Sequence, residues 1–307
     1  MSLSVAAAYV AVILVWGGTW GAIKIGVAQV PPFLFAFERA IAVAALLTIV
    51  SLIFGLRFPR GRRVLAAAAV AGIFNTGSSW AIIFWAEQFV PSGLVAVFGA
   101  TAPVWTAFLA HFLVRGDRLS ALKLTALAVG LAGTAVLVGA PDAGAGPMVP
   151  VATALLALMP ITWAFAAILA ARHLAAESPL PVIAVETWSG GVFLLPFALT
   201  QLGEPAVWTL ETTLSFAYLV LLGSGVGLTL NLWLYRRLRP TTIMLATILI
   251  PAEALLIGAV ALGEELTARM LVGAALIVAA VALNTRAGGD SSAREPASDR
   301  AVATPAD

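Results

Sequence analysis

The sequence has no cysteine and only two histidines among its 307 residues. The absence of cysteine excludes disulfide bonds, thiolate catalysis and cysteine-ligated metal sites, and two histidines are too few to suggest a histidine-ligated metal centre. Charged residues are also scarce, at 10% of the chain, whereas an average soluble domain has about 25%. The formal net charge of +2 is too small to indicate a partner made of nucleic acid.

Hydrophobic residues make up 61% of the chain, and the mean hydropathy is +1.02. A soluble core of this size does not need so many apolar side chains, so a lipid bilayer is expected to surround much of the surface. A membrane helix needs roughly 20 apolar residues, and proline, glycine or charged residues divide the chain into ten runs of about this length. The runs are 5–28, 33–56, 64–88, 92–114, 121–140, 149–171, 181–202, 213–235, 241–262 and 267–285.

The positively charged residues predict how the chain crosses the membrane. The first run has no basic flank and is longer than the core of a signal peptide, so it is interpreted as a retained membrane helix. If the N-terminus is cytoplasmic, the cytoplasmic loops and tail receive every lysine and arginine except Lys24, Arg39 and Arg269. This predicts a multi-pass protein of a cell membrane, of the bacterial inner-membrane type, with both termini in the cytoplasm. Residues 286–307 are expected to be a disordered cytoplasmic tail.

The chain also contains an internal repeat, in which matching residues lie 147 or 148 positions apart. The matching pairs are Trp16 and Trp163, Gly77 and Gly225, Trp85 and Trp233, Pro103 and Pro251, and Gly116-Asp117 and Gly263-Glu264. Because five helices per half is an odd number, the second half enters the membrane inverted. The predicted fold is therefore an all-α integral membrane protein of ten transmembrane helices, built from two inverted five-helix repeats, 1–140 and 149–285. Inverted repeats that meet at the bilayer midplane are typical of secondary transporters.

Several prolines lie at mid-depth within the apolar runs, among them Pro103 and Pro251 of the fourth and ninth runs. A proline has no amide hydrogen, so within a continuous helix Pro103 would free the carbonyl of Gly99 and Pro251 that of Thr247. Such carbonyls are tolerated at membrane depth when they line a cavity or when neighbouring groups bind them. They could bind the ammonium group of a substrate or mark bending points of the helices.

Three segments carry a resemblance to a known family. The first two are Trp16-Gly17-Gly18-Thr19-Trp20-Gly21-Ala22-Ile23-Lys24 and Pro31-Pro32-Phe33-Leu34-Phe35-Ala36-Phe37-Glu38-Arg39. The third feature is the pair of proline helices, the fourth and ninth runs, which contain Pro103 and Pro251 and are followed by Gly116-Asp117 and Gly263-Glu264. In these segments the chain resembles the EamA branch of the drug/metabolite transporter superfamily, over about residues 5–285, and within it the exporters of amino acids, including aromatic ones. The resemblance implies a central cavity lined mainly by helices 1, 3, 4, 6, 8 and 9, and no bound cofactor. Arg115-Gly116-Asp117-Arg118 departs from the usual Gly-Glu, which leaves the substrate open.

Polar and aromatic residues at helical spacing are candidates for the lining of this cavity. Asn75, Ser78, Ser79 and Ile82 share one face of the third helix, and Thr101 and Trp105 share one face of the fourth. As repeat mates near mid-helix, Trp16 and Trp163 are expected to meet near the pseudo-twofold axis. Helix–helix packing is the alternative role for all of these residues. The predicted cavity residues are Trp16, Trp20, Asn75, Ser78, Ser79, Ile82, Gly99, Thr101, Trp105, Trp163, Asn231 and Glu253.

Glu253 is the one ionisable residue near the middle of a predicted helix. A charge at that depth costs about 2.5–3.5 kcal/mol on insertion scales, so a partner or a proton is expected there. Proton coupling is one hypothesis for Glu253, and a neutral or hydrogen-bonded structural acid is the other.

The remaining charges within the runs suggest two gates related by the repeat. One set lies near the outer ends of the helices and the other near the inner ends, so that one gate could open while the other closes. The alternative is that these charged side chains connect the helix ends permanently and do not act as gates. The outer set is Lys24, Glu38, Arg39 and Glu87, and the inner set is Arg172, Glu186 and Arg236.

These features predict a secondary transporter that exports small uncharged or zwitterionic metabolites, above all amino acids including aromatic ones, by alternating access through a central cavity. A phosphorylated substrate would need a basic clamp at mid-depth, which Lys24 near the outer end does not supply. A proton-coupled multidrug efflux transporter is an alternative. An enzyme is not expected, because the usual catalytic groups cannot be assembled, and a non-transporting receptor would not predict an inverted duplication.

Overall fold

The computed structural model of the protein describes residues 2–114, 120–138, 146–235, 237–238 and 240–293. Within these ranges the regular structure consists of ten helices, and no β-strand is present. Three of the helices, α3, α4 and α8, are built from consecutive segments. The helices are α1 (Leu3–Val27), α2 (Pro32–Ile53), α3 (Arg62–Gly72, Ile73–Ser78 and Ser79–Ala86), α4 (Ser92–Gly99 and Ala102–Leu113), α5 (Ala121–Val138), α6 (Val149–His173), α7 (Pro179–Leu199), α8 (Leu210–Ala217, Tyr218–Val226 and Gly227–Tyr235), α9 (Pro240–Ala261) and α10 (Ala268–Ala293).

Eight of these helices are long and apolar enough to cross a membrane, and α5 and α9 contain the shorter apolar segments Ala121–Leu137 and Leu249–Ala261. Large apolar side chains are exposed on the outside of the bundle, as the 65% exposure of Leu52 and the 78% exposure of Val260 show. Such a surface suits lipid rather than water. The predicted ten-helix membrane fold is confirmed. The last helix continues to Ala293, past the expected start of the tail at 286, and residues 294–307 lie outside the described ranges.

The two halves pack against each other through equivalent helices. Helix α5 lies against α10, α2 against α7, and α4 against α9. In the α5–α10 contact, a Cβ added to Gly133 would lie 3.0 Å from the carbonyl oxygen of Gly273, and Ala126 and Ala280 are completely buried. The repeat exchanges Gly133 with Ala280 and Ala126 with Gly273, so the contact is self-complementary, as a twofold axis requires. Small residues let the two backbones approach closely.

Helix α4 is broken at its centre, and this differs from the continuous helix expected from the sequence. Pro103 lies in the first turn of the second segment, where a missing amide hydrogen costs nothing. The hydroxyl of Thr101 donates to the carbonyl of Phe98 at 2.8 Å, and the Thr101 carbonyl accepts the amides of Val104 and Trp105 at 3.0 and 3.2 Å. Its repeat mate α9 runs without a break through Pro251.

Helices α3 and α8 each contain a widened, π-helical segment, Ile73–Ser78 and Tyr218–Val226. The hydroxyl of Ser78 donates to the Ile73 carbonyl at 3.0 Å, and that of Ser224 donates to the Leu219 carbonyl at 3.1 Å. In both bonds the acceptor lies five residues earlier in the chain. Each hydroxyl thus supplies a donor to a carbonyl in the segment where the regular backbone hydrogen bonds of the α-helix are interrupted. Because the two segments overlap under the repeat, the widening is a shared property of both halves.

The bundle has two faces, which we call the N-terminal face, where α1 begins, and the opposite face, where α1 ends. Helices α4, α6 and α8 end at the N-terminal face. There, Arg172 at the end of α6 donates to the carbonyl of Leu113 at the end of α4, with an N–O distance of 2.8 Å. Val5 and Val12 of α1 pack against Leu234 of α8 at the same face.

The α5–α10 contact predicts a position that tolerates no larger residue. In Gly133→Leu, the added side chain would meet the backbone of α10, and overpacking of this kind costs roughly 1–3 kcal/mol. We expect a lower apparent Tm in detergent for Gly133→Leu. The neighbouring Ala132 is exposed on the same helix, so Ala132→Leu should keep the Tm of the parent protein. Equal Tm values for the two variants would contradict the close approach.

Candidate functional site

A cavity of about 1340 Å³ lies between the two repeats. Residues from all ten helices line it, so α2, α5, α7 and α10 contribute in addition to the helices that the family resemblance implies. The lining reaches the N-terminal face at Ala110, Lys123 and Thr285. In the other direction it ends at Ile23, Phe84 and Ala96. Lys123 and Thr285 are partly exposed, whereas Ile23, Phe84 and Ala96 are buried. The cavity is therefore open towards the N-terminal face and closed towards the opposite face.

The closed end is held by Glu264, which follows α9 and caps the start of α4. Gly263 has a φ of +67°, and this turn lets the Glu264 amide donate back to the Gly258 carbonyl at 2.9 Å. The Glu264 carboxylate accepts the Ser92 amide at 2.7 Å, the Ser92 hydroxyl at 3.0 Å and the Gly93 amide at 3.4 Å. A carboxylate at a helix N-terminus satisfies free amides and matches the helix dipole. The repeat mate, Gly116-Asp117, lies outside the described residues.

A second contact at the closed end joins α1 to the end of α3. Lys24 donates from Nζ to the carbonyls of Glu87 and Val90 at 2.5 and 2.9 Å. A cation at the C-terminal end of a helix is favoured by the free carbonyls there. The carboxylate of Glu87 itself is completely buried, and neither of its oxygens has a hydrogen-bond partner in the part of the chain that the structure describes.

Tryptophans form much of the cavity wall. The rings of Trp20 and Trp163 have centroids 6.4 Å apart, and a Cβ added to Gly99 would lie 3.0 Å from Trp163. The indole of Trp16 instead donates to the carbonyl of Gly223 in the widened segment of α8, at 3.0 Å. Trp163 therefore packs against Trp20, one helical turn beyond its repeat mate Trp16.

Arg39 also lines the cavity, although the sequence assigned it to a gate. Its side chain is only 7% exposed, and its guanidinium carbon lies 4.1 Å from the ring centre of Trp80 and 5.8 Å from that of Phe84. The guanidinium donates no hydrogen bond to the described residues, and its Nε atom is buried without a partner. Arg39 lies seven residues into α2, which places it about 10 Å from the start of the helix. This depth can be read from the sequence, and it favours a position of Arg39 in the cavity wall.

The structure divides the predicted cavity residues into two groups. Those that line the cavity are Trp16, Trp20, Asn75, Gly99 and Trp163. Those that do not belong to its described lining are Ser78, Ser79, Ile82, Thr101, Trp105, Asn231 and Glu253. Hydrogen bonds to backbone carbonyls account for three of the second group, because Ser78, Ser79 and Thr101 donate to Ile73, Asn75 and Phe98. The ring of Trp105 packs edge-on against Phe108, with centroids 6.0 Å apart.

Glu253 lies against α1 on a side different from the cavity. Its carboxylate occupies the space next to Gly17, where an added Cβ would collide with it. Tyr218 lies beside the adjacent Gly18, and its hydroxyl donates to the Val15 carbonyl at 2.8 Å. The Oε2 atom of Glu253 is buried and has no hydrogen-bond partner among the described residues.

The other predicted gate residues are dispersed. Arg172 is at the N-terminal face, whereas Glu186 is 7% exposed within α7, close to the Asn75 side chain. Glu38 is half-buried, with one carboxylate oxygen unpartnered. Arg236 lies outside the described residues.

Most lining residues are not singled out by the sequence, and Trp80 and Asn284 are two of them. Trp80 stacks on Phe84, with centroids 6.0 Å apart, and it supports Arg39. Asn284 of α10 donates to the Pro103 carbonyl at 3.1 Å, and its Oδ1 atom is buried without a partner. For Asn284, the sequence signal is a side-chain amide within a membrane helix. Across the described residues, no group of three or more acidic or histidine side chains could hold a metal ion.

Comparisons with known proteins agree with this architecture. The EamA-like transporter family matches residues 3–139 and 151–286. The chain is 29% identical to an "Uncharacterized inner membrane transporter" of Escherichia coli strain K12, over 90% of this chain and 88% of that protein. It is also 29% identical to a "Probable terminal-alkyne amino-acid exporter" of Streptantibioticus cattleyicolor, covering 91% and 92% of the two chains. A "Probable amino-acid metabolite efflux pump" of Salmonella typhimurium is 29% identical, with 89% and 92% covered.

A solved crystal structure shares the fold, with a TM-score of 0.61, 23% sequence identity, and coverage of 94% of this chain and 98% of the other. Two family matches, one for each five-helix half, correspond to the inverted repeats and together cover nearly all of the described residues. The chain belongs to the EamA-like transporter family.

Proposed function

We propose that this protein is an exporter of small zwitterionic or uncharged metabolites, amino acids and among them aromatic ones, and that it works by alternating access. The observation that carries the proposal is the one-sided cavity, open at the N-terminal face and closed at the opposite face by Glu264 and Lys24. Two of the relatives carry names that refer to amino-acid export. A cytoplasmic N-terminus makes the observed state inward-open, which is the state that loads a substrate for export.

The chemistry of the cavity wall supports this class of substrate. The tilted pair of Trp20 and Trp163 offers ring faces to an apolar or aromatic side chain. Asn75, Thr19 and Thr187 add hydrogen-bonding groups to the lining. The volume of about 1340 Å³ exceeds the roughly 300–1,000 Å³ of ordinary ligand sites, so water would accompany a bound amino acid.

The closed end supports a gate at the opposite face. Opening there requires the Glu264 carboxylate to leave the amides of Ser92 and Gly93, and Lys24 to leave the end of α3. Both sets of backbone groups can then be hydrated, because they lie at helix ends. The predicted counterpart at the N-terminal face, which includes Arg172 and Arg236, stays a proposal.

Proton coupling through Glu253 is the second proposal, and one specific observation favours it. The carboxylate lies at mid-depth against Gly17, and its buried oxygen has no cation or donor within hydrogen-bonding distance among the described residues. A lone carboxylate in such surroundings is stable when it holds a proton. A proton on one side of α1 and a substrate on the other could influence each other through movement of that helix.

The first prediction compares two mid-helix tryptophans in efflux of labelled phenylalanine and alanine from loaded proteoliposomes. Trp163→Ala removes a ring from the cavity and should reduce phenylalanine efflux roughly 2- to 10-fold, with a smaller effect on alanine. Trp105→Ala is the matched control and should retain both rates, because Trp105 is not part of the described lining. Efflux of lipophilic cations without any amino-acid flux would instead favour the multidrug alternative.

The second prediction tests the orientation with single cysteines introduced into a chain that has none. Arg60→Cys lies in the exposed loop between α2 and α3, and Glu204→Cys lies in the exposed loop between α7 and α8. If the N-terminus is cytoplasmic, a membrane-impermeant maleimide should label only Glu204→Cys in intact cells and both variants after lysis. The cysteine-free parent sets the background, and the reverse pattern in intact cells would exclude a cytoplasmic N-terminus.

The third prediction concerns Glu253→Gln. An imposed proton gradient, acidic outside, should accelerate phenylalanine efflux by the parent protein, whereas Glu253→Gln should keep efflux down its own gradient and lose the acceleration. Glu211→Gln, which changes an exposed acid in the first turn of α8, is the matched control and should respond like the parent. A full response by Glu253→Gln would remove this residue from the coupling mechanism.

A further inference from the structure

The closed half of the cavity contains one buried cation whose hydrogen-bond donors are unused. Arg39 is 7% exposed, lines the cavity, and donates no hydrogen bond to the described residues. A buried guanidinium normally binds a carboxylate or carbonyl groups, because leaving it unpaired is costly. The second lining cation, Lys123, lies at the N-terminal face on α5, so Arg39 is the cation at the closed end of the described lining.

The surroundings of Arg39 orient its donors without using them. Trp80 stacks under the guanidinium at 4.1 Å and Phe84 lies next to it at 5.8 Å, so aromatic rings cover the flat face of the group. The N–H donors of a guanidinium lie in its plane and remain available at its edge when its face is stacked. On α8, Gly223 has no side chain, and a Cβ there would lie 3.9 Å from Nη2 of Arg39. Because Arg39 also lines the cavity, its unused donors are within reach of a ligand in the cavity.

Glu87 of α3 is the acid that interacts with Arg39, but it does not use the donors of the guanidinium. The two side chains interact electrostatically, but no hydrogen bond joins them, and both oxygens of Glu87 are unpartnered. The planar donor pair of Arg39 is therefore not occupied by this acid. A carboxylate entering from the cavity matches that pair in geometry and charge.

We propose that Arg39 binds the carboxylate group of the substrate at the closed end of the cavity, with Trp80 holding the guanidinium in place. The apolar part of the substrate then lies along the Trp20–Trp163 wall. The ligand class is a small monocarboxylate with an apolar or aromatic side chain, and this deepens and rests on the proposed amino-acid export. A single guanidinium suits one carboxylate better than a phosphate dianion, which is usually held by several cations or a helix N-terminus.

The test separates the two charged groups of the ligand. Affinities of the purified full-length protein are measured by calorimetry for L-phenylalanine, hydrocinnamate, which lacks the ammonium group, and phenethylamine, which lacks the carboxylate. The parent protein should bind both carboxylates about 10- to 100-fold more tightly than the amine, as expected when charge-assisted hydrogen bonds are lost. This comparison needs no variant and so does not depend on the folding of one.

Substitutions of Arg39 then assign the preference to this residue. Arg39→Gln should reduce affinity for both carboxylates to the level of the amine and leave amine binding unchanged or tighter, and Arg39→Lys should give an intermediate preference. Arg62→Gln, at an exposed arginine where α3 begins, is the matched control and should behave as the parent. Elution as a single monodisperse peak in size-exclusion chromatography shows that a variant is folded.

The outcomes distinguish this inference from the proposed function. An unchanged carboxylate preference in Arg39→Gln, or the lack of any carboxylate preference in the parent, would show that Arg39 serves only to pack α2 against α3 and α8, and would overturn the proposal. Phenylalanine efflux that persists in that case keeps the exporter function. Conversely, Arg39-dependent binding of hydrocinnamate without phenylalanine efflux would keep the carboxylate site and refute amino-acid export.

Discussion

The bilayer requires every backbone amide and carbonyl at its centre to find a partner within the protein or in water. Irregular backbone is correspondingly placed at the cavity. The widened segments of α3 and α8 contribute Asn75 and Ser224 to its lining, and the break of α4 contributes Gly99. Serine and threonine hydroxyls supply donors beside these irregularities. The irregular segments and the cavity are therefore consequences of the same requirement.

The same requirement explains how one face closes. Helix ends leave free amides and carbonyls, and in this structure side chains from the neighbouring helices satisfy them: Glu264 at the start of α4 and Lys24 at the end of α3. Both contacts connect different helices, so they hold the bundle together while they cap its ends. Glu264, the acid that follows the second proline helix in the sequence, thus helps to hold the closed end together.

Much of the fold could be predicted from the sequence, because bilayer thickness, loop charge and repeat offset act over whole helices. Whether a residue lines the cavity depends on the direction in which its side chain points around the helix axis, and this direction is harder to predict. Ser78 and Thr101 lie at positions where a widened turn and a helix break alter the ideal helical spacing. Glu253 lies at the expected depth but beside another side of α1, and periodicity does not show which neighbour a helix face meets. The sequence assigns Arg39 to the outer gate because it lies near a helix end, although its depth in α2 places it in the cavity wall.

The two proline helices are repeat mates with different shapes, because α4 is broken before Pro103 and α9 runs straight through Pro251. Because the two halves are homologous, the shape of each half is a possible shape for the other. If each half adopted the shape of the other, the bend would move from α4 to α9 and the wide end of the cavity would move to the other face. Under the proposed alternating access, the difference in shape between the two halves would then correspond to the difference between the two conformations.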